Sequence, residues 1–293
     1  MKIAVFGRKF EKSLEETGLF VFFDKLCQYN AEIYIHRPFL EFLKKNSSLK
    51  LNNYLSFESY REITKDFDFF FSLGGDGTFL EAVRYVRNTG IPMVGINIGR
   101  LGFLANIAQE EIGPSLENIF SGSYSIEQRS LIEFNAEQNI FGEFPFGLNE
   151  ITVQKLNNSL ITIETAINGN YLNTYWTDGL IISTPTGSTA YSMSVGGPIL
   201  SPECRSFVIS PIASHNLSVR PIIISDDVEI ILKVHSRSGK VLATIDSKSG
   251  EFLSGTEIRL KLAGFKIKMV QLPNHTFYGT IRKKLMLGVD IRN

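Results

Sequence analysis

Asp76 is the residue around which this sequence gathers chemistry. It stands in "SLGGDGTFLEAV" (residues 72–83), with glycines at 74, 75 and 77. The apolar run before it, "DFDFFFSL" (66–73), reads as a buried strand, and the residues after it read as the first turns of a helix. A glycine loop at the carboxyl end of a parallel strand is where open α/β sheets bind ligands. Glycines let backbone N–H groups approach phosphate with no Cβ in the way, and the helix start adds positive charge. Gly74, Gly75, Gly77 and Thr78 are therefore a candidate phosphate loop. A carboxylate beside phosphate is repelled, so Asp76 needs a task. It could take a proton from an attacking hydroxyl or hold a divalent cation. The competing reading is a helix N-cap, shared with Thr78. The full Gly-Gly-Asp-Gly-Thr run after an apolar strand favours the chemical role.

A second stretch, "TDGLIISTPTGSTAYSMSVGGPI" (177–199), is filled with small, hydroxyl and glycine residues and carries one charge, Asp178. "GLIIS" reads as a buried strand. The segment after it is too polar for a core and long for a plain connection, and long loops in compact domains are often functional. Its hydroxyls and amides suit sugar and phosphate oxygens, and Tyr191 could stack on a base. A third feature, "GLNEIT" (147–152), sets Asn149 beside Glu150 at the head of a strand. An adjacent amide and carboxylate can read an adenine edge or clasp two ribose hydroxyls; a solvated turn is the plainer reading. The four histidines have no metal-ligand spacing. His275, among polar and aromatic residues, is the best exception. No P-loop signature, no G-x-G-x-x-G after the first strand and no G-x-S-x-G elbow occurs.

These loops need elements to carry them. The first hundred residues alternate strand and helix signals: strands at "KIAVFG" (2–7), "AEIYIH" (31–36), 66–73 and "IPMVGINIG" (91–99), helices between, and a further helix near "EEIGPSLENIF". One helix is expected across "EKSLEETGLFVFFDKLCQYN" despite Gly18. Such alternation implies a Rossmann-like parallel sheet with helices on both faces. After about residue 124 the alternating pattern of strands takes over, with turn signals at Asn168-Gly169 and Ser249-Gly250. "YLNTYWTDGLIIST" reads there as one continuous strand. The expected organisation is an α/β domain over 1–124 with the segment 273–293 packing back on it, and a mostly antiparallel β-sandwich domain over 125–272.

With 293 residues, 43% of them hydrophobic, the chain can build two full cores. Lys plus Arg and Asp plus Glu are equal at 30 each, which argues against a general nucleic-acid binder. Cys27 and Cys204 form no disulfide framework and no zinc set. No run is long and apolar enough to span a membrane, and "MKIAVFG" does not read as a signal peptide. A cytoplasmic protein without membrane or nucleic-acid partners is expected.

In this order, "GGDGT" (74–78), "NE" (149–150) and "DGLIISTPTGSTAYSMSVGGPI" (178–199) resemble the NAD kinase family, and the likeness runs over most of the chain, to "HTFYGTIRKKLMLG". "GGDG" alone is shared with phosphofructokinases and with diacylglycerol and sphingosine kinases; the long "TPTGSTAYS" segment is not. The resemblance implies transfer of the terminal phosphate of ATP, or of polyphosphate, to the 2′-hydroxyl of the adenosine ribose of NAD. By it Asp76 would be the general base, with Gly77 beside it against the dinucleotide. Asn149 and Glu150 would hold the acceptor adenosine. Asp178 would contact the dinucleotide, in such enzymes often across a subunit boundary. Thr189, Ala190, Tyr191, Ser192, Met193 and Ser194 would line the adenine and ribose pocket, with Ala213 and Lys248 at further contact positions. Trp176 departs from the basic residue that some relatives carry two places before the aspartate. The resemblance also implies a homodimer or homotetramer. A divalent cation, Mg²⁺, bound mainly through the ATP phosphates would account for the lack of a dedicated metal cage. Rival classes are another GGDG-type kinase acting on a lipid or sugar, and a non-catalytic dinucleotide sensor.

Overall fold

The computed structural model describes residues 1–11, 17–47, 54–99, 102–216 and 218–288. It divides into two compact units, Met1–Gln128 with Ile267–Asn293, and Arg129–Lys266.

The first unit runs β1 (Lys2–Gly7), α1 (Leu19–Gln28), β2 (Glu32–His36), α2 (Arg37–Asn46), β3 (Leu55–Phe57), β4 (Phe69–Leu73), α3 (Asp76–Val86), β5 (Met93–Ile96) and α4 (Ile112–Phe120). The strands pair in parallel in the order β3-β2-β1-β4-β5. Side chains alternate across a strand, and β4 uses both faces. Phe69, Phe71 and Leu73 enter a core with residues of α1, α2 and α4. Phe70 meets Phe57, which in turn meets Tyr85 of α3, on the other face. Helices thus cover the sheet on both sides, as alternation predicts. Two details differ from the sequence reading. α1 starts only at Leu19, because Gly18 adopts a left-handed φ of 68° and forms its N-cap; residues 12–16 of the expected helix lie outside the described residues. The three-residue β3 was too short to register as a periodic pattern.

The second unit is two-layered. Its strands are β6 (Ser125–Ala136), β7 (Phe146–Gly147), β8 (Glu150–Lys155), β9 (Ile161–Ile167), β10 (Asn170–Thr177), β11 (Gly179–Ser183), then the single-turn helix α5 (Tyr191–Ser194), β12 (Ser206–Ile212), β13 (Ile222–Ser225), β14 (Ile230–Ser236), β15 (Lys240–Ile245), β16 (Lys248–Leu253) and β17 (Glu257–Gln271). One layer is an antiparallel sheet in the order β13-β12-β11-β8-β15-β16, and the other joins β10, β9, β14 and β17. Ile151, Val153, Leu180 and Ile182 of the first layer share a core with Ile161, Ile163, Tyr175 and Leu232 of the second. The stretch expected as a single strand over 171–184 breaks at Asp178. Its halves, β10 and β11, belong to different layers, so Asp178 stands at a corner.

The helix α6 (Phe277–Leu285) closes the chain's described part, capped by Thr276, whose side chain accepts from the Gly279 amide at 3.1 Å. It is part of the first unit, where the Lys284 ammonium lies 4.4 Å from the Phe103 ring centre. Just before it, His275 Nε2 is 3.7 Å from Glu111 Oε2, a structural setting for that histidine.

Candidate active site

In the first unit β4 ends at Leu73, and the Gly74 amide donates to Ile96 O at 2.9 Å across the sheet. A Cβ on Gly74 would collide with the Thr78 side chain, so glycine is required where the chain turns over the helix start. Gly75 is the N-cap of α3, and Asp76 is its first helical residue; no side chain caps this helix. The N-cap reading of Asp76 and Thr78 therefore does not describe the loop. The Asp76 carboxylate faces away from its own helix. Oδ2 accepts the Phe103 amide at 2.8 Å, and Oδ1 accepts the amides of Leu104 at 2.9 Å and Ala105 at 3.0 Å. Asn97 shapes the same segment: its Oδ1 accepts the Gly99 amide at 2.6 Å and its Nδ2 donates to Ala105 O at 3.4 Å. A carboxylate offers about four lone-pair sites. Three are used, and the one left is on Oδ2. Cβ atoms on Gly75 and Gly77 would meet nothing within 4 Å, so this backbone is open to approach.

In the second unit a parallel device organises the Asn149-Glu150 pair. Asp246, in the tight turn between β15 and β16 with φ 50°, accepts the amides of Leu148 at 2.9 Å, Asn149 at 2.8 Å and Glu150 at 3.1 Å. Burial still pushes the Asp246 carboxyl up to about 6, against the pull of those three amides. Glu150 is buried and pushed up to about 8, first by desolvation and then by the neighbouring Asp246 charge, with the Tyr191 amide opposing. Its Oε2 is buried without a hydrogen-bond partner. An acceptor this enclosed and unpaired is costly unless a ligand satisfies it.

The small-residue segment closes over that pair. Thr184 N–H donates to Asn149 O at 2.9 Å, and Thr184 Oγ1 donates to Leu148 O at 2.5 Å. A Cβ on Gly187 would overlap the Asn149 carbonyl, which explains a glycine in "TPTGST". Buried Arg129 donates to Thr186 Oγ1 at 3.3 Å and braces the same turn. Thr189, Ala190 and Met193 are half-buried, Ser194 is exposed, and Tyr191 is 38% exposed. Ser192 differs from its neighbours: it is fully buried, 3.1 Å from Ser210 Oγ, and packed under Gly197. Its hydroxyl has a structural partner rather than an open face.

Asp178 and Ala213 meet at the corner between layers, where the Asp178 amide donates to Ile212 O at 3.0 Å. Asp178 also pairs with Lys155 Nζ at 2.6 Å, and exposed Ala213 holds a left-handed φ of 47°. Trp176 lies nearby on β10 with its ring in solvent, and its carbonyl accepts the His215 amide at 2.9 Å. Lys248, two residues past Asp246, donates to Phe141 O at 2.6 Å. Sequence reasoning missed Asp246 and the 103–105 amides. The latter had a signal, a second glycine-bearing run "GINIGRLGFL" (95–104). Among the described residues no three His, Cys, Asp or Glu gather to hold a metal ion, and no helix is long and apolar enough to cross a membrane.

Residues 16–124 match the model of the ATP-NAD kinase N-terminal domain, and residues 148–272 match that of the ATP-NAD kinase C-terminal domain. An NAD kinase of Flavobacterium psychrophilum is 47% identical, covering all of both chains, and one of Bacteroides fragilis is 45% identical at the same coverage. Among solved structures, yeast NADH kinase complexed with NADH aligns with a TM-score of 0.87 at 23% identity, over 99% of this chain and 89% of that one. An Archaeoglobus fulgidus NAD kinase in complex with ATP aligns with a TM-score of 0.75 at 23% identity, over 98% and 99%.

Proposed function

The chain belongs to the NAD kinase family, and we infer from that membership and from its two carboxylate sites how it turns NAD into NADP. The reaction is transfer of the terminal phosphate of ATP to the 2′-hydroxyl of the adenosine ribose of NAD. The observation that carries the residue assignment is the Asp76 carboxylate, fixed by three amides with one lone-pair site left on Oδ2. A base held this way costs no reorganisation when the hydroxyl arrives. The 2′-oxygen attacks the γ-phosphorus, its proton passes to Asp76, and ADP leaves with the electron pair of the cleaved P–O bond. Gly77, with open space over it, lets the dinucleotide come close.

The enclosed Oε2 of Glu150 supports a role in accepting a ribose hydroxyl, with Asn149 beside it for the adenine edge. Tyr191 offers an exposed ring for the base, and Thr189, Ala190, Met193 and Ser194 flank it in the chain. Ser192, held by Ser210, would act through the turn it supports. Asp178, Ala213 and Lys248 are dinucleotide contacts on the family likeness, and the corner formed by exposed Trp176 and half-buried Asp178 is a surface on which a second subunit of a homodimer or homotetramer would bear. A divalent cation, Mg²⁺, would be carried mainly by the phosphates of the donor. Bound there, Mg²⁺ would neutralise phosphate charge. Polyphosphate is the alternative donor, and the cytoplasm, where NAD and ATP occur together, the expected site of work.

The test is NADP formation from NAD plus ATP, followed by an NADP-specific dehydrogenase. NADP accumulation in step with ADP is expected. Consumption of ATP on a lipid or sugar acceptor with none on NAD would overturn the reading, as would NAD binding without turnover.

A further inference from the structure

The run "HTFYGTIRKKLMLG" (275–288) has as yet no part in the reaction. It forms α6, a helix of nine residues, none of them buried. A helix this short is marginal in water by itself, so contacts outside it must hold it. Two of these are with one segment of the same unit. His275, just before the N-cap Thr276, sets Nε2 3.7 Å from Glu111 Oε2, and that oxygen also accepts the Ala108 amide at 3.1 Å. Near the other end of the helix, the Lys284 ammonium lies 4.4 Å from the Phe103 ring centre. The partners run in opposite order, 275 with 111 and 284 with 103, so α6 lies antiparallel along residues 103–111.

Phe103 begins the group of amides that holds Asp76. Its amide donates to Oδ2 at 2.8 Å, whereas Oδ1 accepts from both Leu104 and Ala105. Oδ2 is the oxygen with a lone pair left for the ribose proton. One residue thus supplies the amide that fixes the accepting oxygen and the ring on which α6 places a cation. Leu104 and Ala105 are buried, while Phe103 is half-buried. Of the three donors, Phe103 is the one that apolar packing fixes least.

Resting on the kinase reading, we propose that α6 is a strap over the catalytic loop and that Lys284 is a positioning residue. It acts through the Phe103 ring on the Asp76 oxygen that takes the proton. With the strap seated, the Phe103 amide keeps Oδ2 aligned. With the strap peeled back, Phe103 is free to turn, Oδ2 loses its donor, and the carboxylate swings about the two amides left on Oδ1. The base is then misplaced while the surfaces that bind both substrates stay intact. The effect falls on kcat and spares KM.

Lys284→Met removes the charge and keeps an apolar stem. Phe103→Leu removes the ring and keeps the amide. NADP formation would be measured with each substrate varied in turn. In both variants kcat should fall about three- to tenfold, the reach of one partly desolvated cation–ring contact, with both KM values within about twofold of wild type. Lys284→Arg, which keeps the cation and stacks on rings, should restore the rate. In an Asp76→Asn background Lys284→Met should cost nothing further, because the oxygen it aligns no longer accepts the proton. An equal loss in both backgrounds is what a merely structural helix gives, and it overturns the proposal. A raised ATP KM at unchanged kcat makes Lys284 a donor contact and overturns it too. If either single variant melts early, the comparison of the two Asp76 backgrounds decides alone. Trypsin gives a readout that needs no turnover. It cuts after Arg282 and Lys283 once α6 opens, so Phe103→Leu should speed that cleavage. A wild-type protein that forms no NADP, with faster cleavage in Phe103→Leu, removes the functional reading and keeps the strap. Unchanged cleavage and unchanged kcat in Phe103→Leu remove the strap and keep the function.

Discussion

Gly102 lies against Asp76 so closely that a Cβ on it would overlap the carboxylate oxygens. The contact is reciprocal. The carboxylate gathers the amides of residues 103–105, and the loop so gathered leaves the carboxylate one orientation. Twenty-six positions separate the two residues in the chain.

Gly102→Ala should therefore expel the Asp76 side chain from its seat. The expected loss in NADP turnover approaches that of removing a general base, about 10²-fold or more. Melting should fall too, since the buried amides of Leu104 and Ala105 lose their acceptor. A variant with near-normal rate would show that the seat does not govern the chemistry.

Asp76→Asn carries a cost that the sequence alone does not reveal. Asn and Asp cap helices about equally well, so a capping residue would tolerate the exchange. Here all three partners are N–H donors, and the amide nitrogen of Asn must face at least one of them. Turnover should fall by about 10²–10⁴-fold from loss of the base. The melting temperature should drop as well, reflecting about 1–3 kcal/mol for an unsatisfied amide. Initial rates and a melting curve on the same preparation separate these outcomes. Retention of rate would end the assignment of Asp76 as base.

Glu150 gives stability a pH dependence. Its folded-state value is near 8 against an unreacted 4.5, so the folded protein holds a proton that the unfolded chain releases. The sign follows: this contribution is fully present below about 4.5 and is lost as pH rises towards 8. Glu150→Gln keeps the neutral form at every pH. Its melting temperature should match wild type at about pH 5 and exceed it at about pH 9, while its NAD KM rises. Parallel melting curves of the two proteins at all pH values would refute the buried-carboxyl assignment.

Tyr191 tests the base-stacking surface. Its amide faces Glu150 and is retained in any variant, so only the ring is at stake. Tyr191→Ala should raise the NAD KM, as the loss of a stacking partner costs about 1–3 kcal/mol per base. Tyr191→Phe should be mild. A severe loss with Phe would shift the role from the ring to the hydroxyl.

What was legible in the sequence divides along chain distance. β1, β4 and β5 are continuous apolar runs and read directly, as does the turn from β4 into α3. The glycines of "GGDGT" and "TPTGST" announced close backbone approach, and Gly74 and Gly187 bear that geometry. What failed was partnership across distance. Nothing near Asn149 points to Asp246, 97 residues on, yet that side chain sets the conformation of residues 148–150. Asp178 reads as one polar residue inside a long strand because no local pattern marks a change of layer. β3 is three residues long, below the reach of any period.

The two aspartate clasps also bear on exchange with solvent. Loop amides ordinarily trade their protons with water quickly, because water is their partner. The amides of residues 103–105 and 148–150 instead point at carboxylates. In deuterated buffer they should keep their protons as amides in strand interiors do. The two loops would stand out as protected islands in otherwise fast-exchanging connections. The 148–150 island is tied to a carboxyl that titrates near 6, so its protection should weaken on mild acidification, and the loops' order would be readable residue by residue before any substrate is added.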